Sequence, residues 1–303
     1  MTTASDHPPL RVWGYTAAIL VVLMALLAGE AHMPAFARPA SGVSAETLNL
    51  GRLSEAAPHP LEIVALGSSK TLYAIDYDDR FTKRLAALPH PVAFHRVTFE
   101  GANFWDLEPA LRALASHPPD MLLLESDLLL FDRGSRFPIR HDLLPLEKRL
   151  DAYLSGRKHS DDNYGQNRGA ERFPSAQECA VRQSEPERLL YATRLSTARL
   201  STPESRQRYL ELLRALRSSG TQIVLLRLPR AAWAEALLPP WAAQSNAVTL
   251  PEFAARNGFD LWTADPLPAG AFCDEGHMTA LGRDLYSRWL STRLLAMRSA
   301  RHG

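Results

Sequence analysis

Cysteine is nearly absent from this chain: Cys179 and Cys273 are its full complement among 303 residues. Two thiols exclude a scaffold built on many bridges. The histidines His90, His95, His117, His141 and His159 show no His-x-x-x-His spacing, so they offer no metal-ligand pattern, and no metal or organic cofactor is expected. Excess charge of one sign is also missing, since 34 Lys and Arg face 33 Asp and Glu for a net charge of +1. A chain so balanced has no broad attraction for nucleic acid, which removes that class of partner. No internal repeat or low-complexity tract occurs. What remains is an ordinary globular composition, 46% hydrophobic and 22% charged, enough to bury a substantial core.

Residues 12–29, VWGYTAAILVVLMALLAG, carry no formal charge, and a helix of that length spans about 27 Å, close to a hydrocarbon core. Two readings compete: an uncleaved transmembrane anchor, and a signal segment cut after Ala37, where Ala35-Phe36-Ala37 has the small-x-small form. The run exceeds the usual signal core, which favours the anchor. Arg11, ending the short tail 1–11, places the N-terminus in the cytoplasm, so everything after the span lies on the extracytoplasmic, periplasmic side. Residues 30–60, rich in Ala, Pro, Ser and Glu, read as a linker, and a domain is expected over 61–303. In an oxidising compartment Cys179 and Cys273 can bond, and Cys273 directly precedes Asp274. Two unpaired buried thiols are the alternative.

From Leu61 onward apolar runs alternate with amphipathic stretches. The strand-like segments are 61–67, 92–99, 120–126, 221–228 and 258–262; helix-like segments cover 70–88, 103–117, 186–218, 230–246 and 279–298. Continuous apolar strands separated by helices imply a mainly parallel sheet covered on both faces, a three-layer α/β/α fold. A polar, Gly-containing insertion at about 155–185 interrupts this rhythm and reads as a lid loop or as disorder.

Two short blocks carry reactive side chains. In 63–71, IVALGSSKT, Ser68 and Ser69 sit on a Gly turn after the first strand. In 273–282, CDEGHMTALG, Asp274 and His277 stand three apart in a loop before the last helix. A serine hydroxyl needs an imidazole to take its proton and a carboxylate to orient that imidazole, so together these make a candidate Ser-His-Asp site. In a parallel sheet such groups collect at the carboxyl ends of strands. Either serine could instead cap the following helix, Asp274 could be a turn residue, and His277 an ordinary surface histidine.

The two blocks resemble the SGNH/GDSL hydrolase superfamily, with Gly-x-Ser after the first strand and Asp-x-x-His before the C-terminal helix. The resemblance implies an SGNH, flavodoxin-like architecture, with Ser69 as nucleophile, His277 as general base and Asp274 as its orienting partner. It further implies oxyanion or substrate contacts from Gly101, Asn103 or Ser126. A Gly-x-Ser-x-Gly elbow is absent because position 71 is Thr, which separates the chain from standard α/β-hydrolases. The third block departs from the family's Gly-x-Asn and reads Glu125-Ser126-Asp127. An ionised Asp127 would repel an oxyanion, so it must point away, be protonated, or leave donation to Ser126 or Asn103.

Membrane-anchored members of the superfamily imply a serine-dependent acyl-ester transferase or esterase acting on a cell-envelope glycan or exopolysaccharide, beside a membrane acyltransferase partner. The alternative is a noncatalytic subunit that keeps the fold to bind glycan or to scaffold such an acyltransferase. The arginines of 194–217 read as a solvated face, and Trp233, Trp241, Trp262 and Trp289 as core or rim packing.

Overall fold

The computed structural model describes residue 15 and residues 60–88, 91–99, 104–132, 173–197, 199–200 and 203–302. The chain divides into two compact units, residues 1–42 with 135–159, and residues 43–134 with 160–303. Apart from Tyr15, which is helical, every described residue belongs to the second unit. The expected anchor at 12–29, apart from Tyr15, and most of the linker at 30–60 lie outside the described residues, as does 155–172 of the insertion.

Five strands form one parallel sheet: β1 (Leu61–Ser68), β2 (Val92–Phe99), β3 (Met121–Glu125), β6 (Gln222–Arg227) and β7 (Asp260–Thr263). Their spatial order is β2-β1-β3-β6-β7. A separate antiparallel pair joins β4 (Phe131–Asp132) to β5 (Arg199–Leu200). Each of the five apolar runs expected to be a strand is one. Chain order reverses between β1 and β3, so the carboxyl ends of these two neighbours mark the topological switch point, where such sheets place their sites.

The central strands β1, β3 and β6 are buried on both faces, while β7 at the sheet edge exposes Asp260 and Thr263, and successive side chains feed two separate cores. Val64, Leu66, Leu122, Leu124 and Leu225 point to one side. There they pack on α3 (Phe104–Ser116), α7 (Pro203–Ser218) and α10 (Leu250–Asn257). Ile63, Ala65, Leu123, Val224 and Leu226 point to the other. That face is covered by Ala74 of α1 (Ser69–Ala74), Phe81 of α2 (Asp78–Arg84), and Tyr286, Leu290 and Leu294 of α11 (Ala280–His302). The described elements therefore form three α/β/α layers.

Helix boundaries differ from the sequence reading in three places. The expected helix over 70–88 is two helices, α1 and α2, separated where Ile75 at the C-cap adopts an extended conformation. Residues 186–218 hold α6 (Glu185–Thr197) and α7 with β5 between them; Pro203 opens the second helix, as proline does in a first turn. Residues 230–246 hold α8 (Ala232–Ala236) and α9 (Pro240–Gln244), divided by Pro239 and Pro240, and a π-turn at Ser245–Thr249 then leads into α10. Part of the insertion is ordered as well. After the short α4 (Asp127–Leu130) comes α5 (Ala176–Arg182), opened by a capping box in which Ser175 and Glu178 satisfy each other's backbone N–H groups.

Candidate active site

The turn from β1 into α1 separates two adjacent serines. Ser68 Oγ donates to the Glu125 carboxylate at 2.8 Å and accepts from the Lys70 N–H at 3.2 Å, which makes Ser68 the N-cap of α1. Glu125 also accepts from the Ser68 N–H at 2.7 Å and from Thr71 Oγ1 at 2.8 Å. A buried carboxylate at the end of β3 thus grips the whole turn. Gly67 makes that grip possible: a Cβ there would lie 1.9 Å from Thr71 Oγ1 and 2.9 Å from Glu125 Oε2. Capping by Ser68 leaves Ser69, the first residue of α1, facing the other way.

Ser69 meets the second block. Its Oγ lies 2.8 Å from His277 Nε2, and His277 Nδ1 lies 2.7 Å from Asp274 Oδ2. Asp274 Oδ1 accepts from the N–H groups of Gly276 at 3.1 Å and His277 at 2.8 Å, so the loop binds its own carboxylate. Burial pushes the Asp274 carboxyl up, but the hydrogen bond from His277 and the two backbone donors outweigh it and hold it at about 2. Asp274 is therefore an ionised acceptor. That fixes the imidazole tautomer: Nδ1–H donates to Asp274, and Nε2 accepts from the Ser69 hydroxyl.

The loop is held at both ends. Cys273 N–H donates to the His277 carbonyl at 2.8 Å, and Phe272 bridges Met278 in antiparallel fashion. Gly282, in the first turn of α11, lets the helix approach the loop; a Cβ there would stand 2.0 Å from the Ala271 carbonyl oxygen. Cys179 and Cys273 are joined in a disulfide with their Cα atoms 4.5 Å apart, within the range a bridge requires. The unpaired-thiol alternative does not hold in this structure.

The third block has a different use from the one its position suggests. Asp127 is ionised: burial raises its carboxyl, but Arg230 and Lys70 hold it well below the usual carboxylate range. Lys70 Nζ bonds Asp127 Oδ2 at 2.8 Å, and Arg230 Nη2 bonds the same oxygen. Arg230 is only 5% exposed, and the pairing overcomes burial to push its guanidinium up. The negative charge is thereby neutralised beside the nucleophile turn.

Ser126 requires a correction. It is completely buried, and its N–H is committed to the Leu226 carbonyl at 2.9 Å, so it is not placed to meet a substrate. Gly101 and Asn103 lie outside the described residues. The N–H of Ser69, at the first position of α1, has no carbonyl a turn earlier within the helix and is the natural donor at this turn.

Five residues near the site escaped the sequence reading: Tyr73, Phe173, Arg182, Gln183 and Arg283. Arg182 Nη1 reaches Asp274 Oδ2 at 3.3 Å, and Gln183 Nε2 donates to the Phe272 carbonyl at 2.6 Å. Tyr73 sets its ring edge-on to His277 at 5.3 Å and to Phe173 at 6.0 Å. Arg283 stacks on Phe173 at 4.3 Å and donates to the Leu72 carbonyl at 2.9 Å. Phe173 and Arg283 border a cavity of about 430 Å³ that also touches Tyr77, Arg80 and Ala280. Only the Tyr73 signal was present in sequence, one turn of helix after Ser69; the others come from distant segments.

No protein-family model matches the chain, and no curated protein matches it by sequence. Solved structures similar to it include one described as a "putative acylhydrolase" from Bacteroides fragilis, with 12% identity and a TM-score of 0.44 over 85% of this chain and 97% of that one. A GDSL-like lipase from Bacteroides thetaiotaomicron has 9% identity and a TM-score of 0.43 over 85% and 99%. A "putative arylesterase" from Agrobacterium tumefaciens has 13% identity and a TM-score of 0.36 over 78% and 98%. At these values the likeness is distant, and the chemistry rests on the geometry above.

Proposed function

We propose that the chain is an SGNH/GDSL-type serine hydrolase or acyltransferase that works through an acyl-enzyme on Ser69. The observation that carries this reading is the continuous hydrogen-bonded line from Ser69 Oγ through His277 to Asp274, assembled from residues 208 positions apart. Ser69 Oγ attacks an ester carbonyl as its proton passes to His277 Nε2, while the Asp274 carboxylate stabilises the imidazolium. The tetrahedral intermediate collapses when His277 returns that proton to the leaving alkoxide. An acceptor hydroxyl, or water, then gives its proton to His277 and attacks the acyl group, and as this second tetrahedral intermediate collapses His277 returns the proton to Ser69 Oγ, which frees the serine and restores the neutral imidazole. Transferase and esterase differ only in that acceptor.

The substrate we propose is an acyl ester on a cell-envelope glycan or exopolysaccharide, met on the extracytoplasmic side of a membrane to which residues 12–29 anchor the chain. The Cys179–Cys273 bond supports an oxidising compartment. The second reading, a noncatalytic subunit that binds glycan or scaffolds a membrane acyltransferase, draws on Asp127, an acid where an amide donor is expected.

Incubating the full-length protein with a fluorophosphonate and mapping the adduct distinguishes the two. Labelling at Ser69 that is lost in His277→Ala is the expected result; an unlabelled, folded protein would favour the scaffold.

A further inference from the structure

Helix α5 and its C-cap Gln183 hold three consecutive loop residues, Phe272, Cys273 and Asp274. Cys179 is bonded to Cys273, Gln183 Nε2 donates to the Phe272 carbonyl, and Arg182 Nη1 donates to Asp274 Oδ2. The three contacts span 89 to 94 positions of sequence. Of the three, only the Arg182 contact reaches the triad itself.

The oxygen it reaches matters. Asp274 Oδ1 is occupied by the N–H groups of Gly276 and His277, while Oδ2 receives His277 Nδ1 at 2.7 Å and Arg182 at 3.3 Å. A guanidinium on Oδ2 draws on the same negative charge that stabilises a protonated His277. The other charged and titratable groups around the ring are differently engaged. Lys70, from α1, runs beside Gly276 but is paired with Asp127, which Arg230 shares. Tyr73 presents its ring to His277, and Arg283, from α11, stacks over Tyr73 and donates to main-chain carbonyls. Glu275, on the same loop, has its carboxylate near enough to the Tyr191 phenol to help push it up, and its carbonyl accepts from the Ala231 N–H. Among the described residues, Arg182 is the cation whose contact is to the triad carboxylate.

We propose that Arg182 is a positioning residue of the triad: held against Asp274 Oδ2 by the disulfide-linked helix, it lowers the pH at which His277 becomes free to take the Ser69 proton. The proposal rests on the serine-nucleophile reading above. Because the Arg182 side chain is 48% exposed, solvent screens its charge and the effect is modest.

The test follows the full-length, oxidised protein from about pH 5 to 9, the range in which imidazoles titrate. Two quantities are measured: the rate of Ser69 labelling by a fluorophosphonate, and the resonances of the His277 ring. Arg182→Gln is expected to raise both midpoints by on the order of half a pH unit, with the plateau rate within about threefold of wild type. Arg182→Lys should bring the midpoint back towards wild type. Dithiothreitol, which yields two cysteine thiols as it closes to its own cyclic disulfide, should raise the wild-type midpoint and leave that of Arg182→Gln where it is.

A rate that falls at every pH with an unmoved midpoint would mean that Arg182 only supports the fold, and would overturn the proposal. So would identical ring titrations for wild type and Arg182→Gln. A wild-type protein that takes no label would refute the serine reading instead, while the ring titration still decides the role of Arg182.

Discussion

Ser68 Oγ and the Glu125 carboxylate are 2.8 Å apart, at the ends of neighbouring strands β1 and β3, and this one hydrogen bond tells two adjacent serines apart. Ser68 is turned inward as a helix cap. Ser69, one position on, is left to meet His277.

Removing that anchor should cost stability in proportion to what is left unpaired. Ser68→Ala loses a helix cap, worth about 1 kcal/mol. Glu125→Ala strands the buried donors of Ser68 and Thr71 together, so a loss of roughly 3 kcal/mol or more is expected, with weaker phosphonate labelling of Ser69. Urea unfolding of the two variants checks the order; equal losses would mean that Glu125 does not organise the turn.

The triad should behave as one unit. Ser69→Ala and His277→Ala are each expected to remove the covalent route, and the double variant should be little worse than either alone. Asp274→Asn should also be damaging, because an amide can present its NH2 group to His277 and favour the wrong tautomer. Ester hydrolysis by the purified variants measures this, and additive losses would argue against the hydrogen-bonded line from Ser69 to Asp274 as the working site.

Asp127 sets an acid limit on stability. Lys70 and Arg230 hold its folded-state carboxyl below the unfolded value of about 3.9. The stabilisation is therefore present above that value and is lost as pH falls, because the unfolded chain takes up a proton that the folded one resists. At pH 7, Asp127→Asn should cost on the order of 3 kcal/mol or more, since it leaves Lys70 and Arg230 buried without their anion. The gap between wild type and variant should begin to narrow below about pH 4 and go on narrowing as the pH falls further. Chemical denaturation at pH 7 and pH 3 reads both, and a gap that does not depend on pH would show that the ion cluster is not what Asp127 contributes.

The strands and the two reactive blocks were legible in the chain alone. Strands buried on both faces must be continuously apolar, so 61–67, 120–126 and 221–228 stood out from the amphipathic stretches between them, and the shorter or more mixed runs 92–99 and 258–262 followed at the sheet edges. Gly67 and the spacing of Asp274 and His277 are local requirements of a tight turn and a self-bonded loop, and local requirements leave a local record. Helix breaks were less legible: Pro203, Pro239 and Pro240 stand at two of them, yet 186–218 and 230–246 were read as unbroken helices, and the break between α1 and α2 has no such residue.

Which serine faces the histidine is a matter of packing, because that choice is made by Glu125, 57 positions away on another strand. Packing likewise turned Asp127 from an apparent obstacle into the centre of an ion cluster, since Arg230, 103 positions later, gives no local sign of pointing there. Arg182 is the clearest case. Within a polar, Gly-containing stretch one arginine looks like any other, and its position on Asp274 follows from a capping box, a disulfide and a helix seated against a loop it meets only when the chain is folded. Side-chain pairs between distant segments depend on how the layers stack, and no spacing along a single chain encodes that stacking.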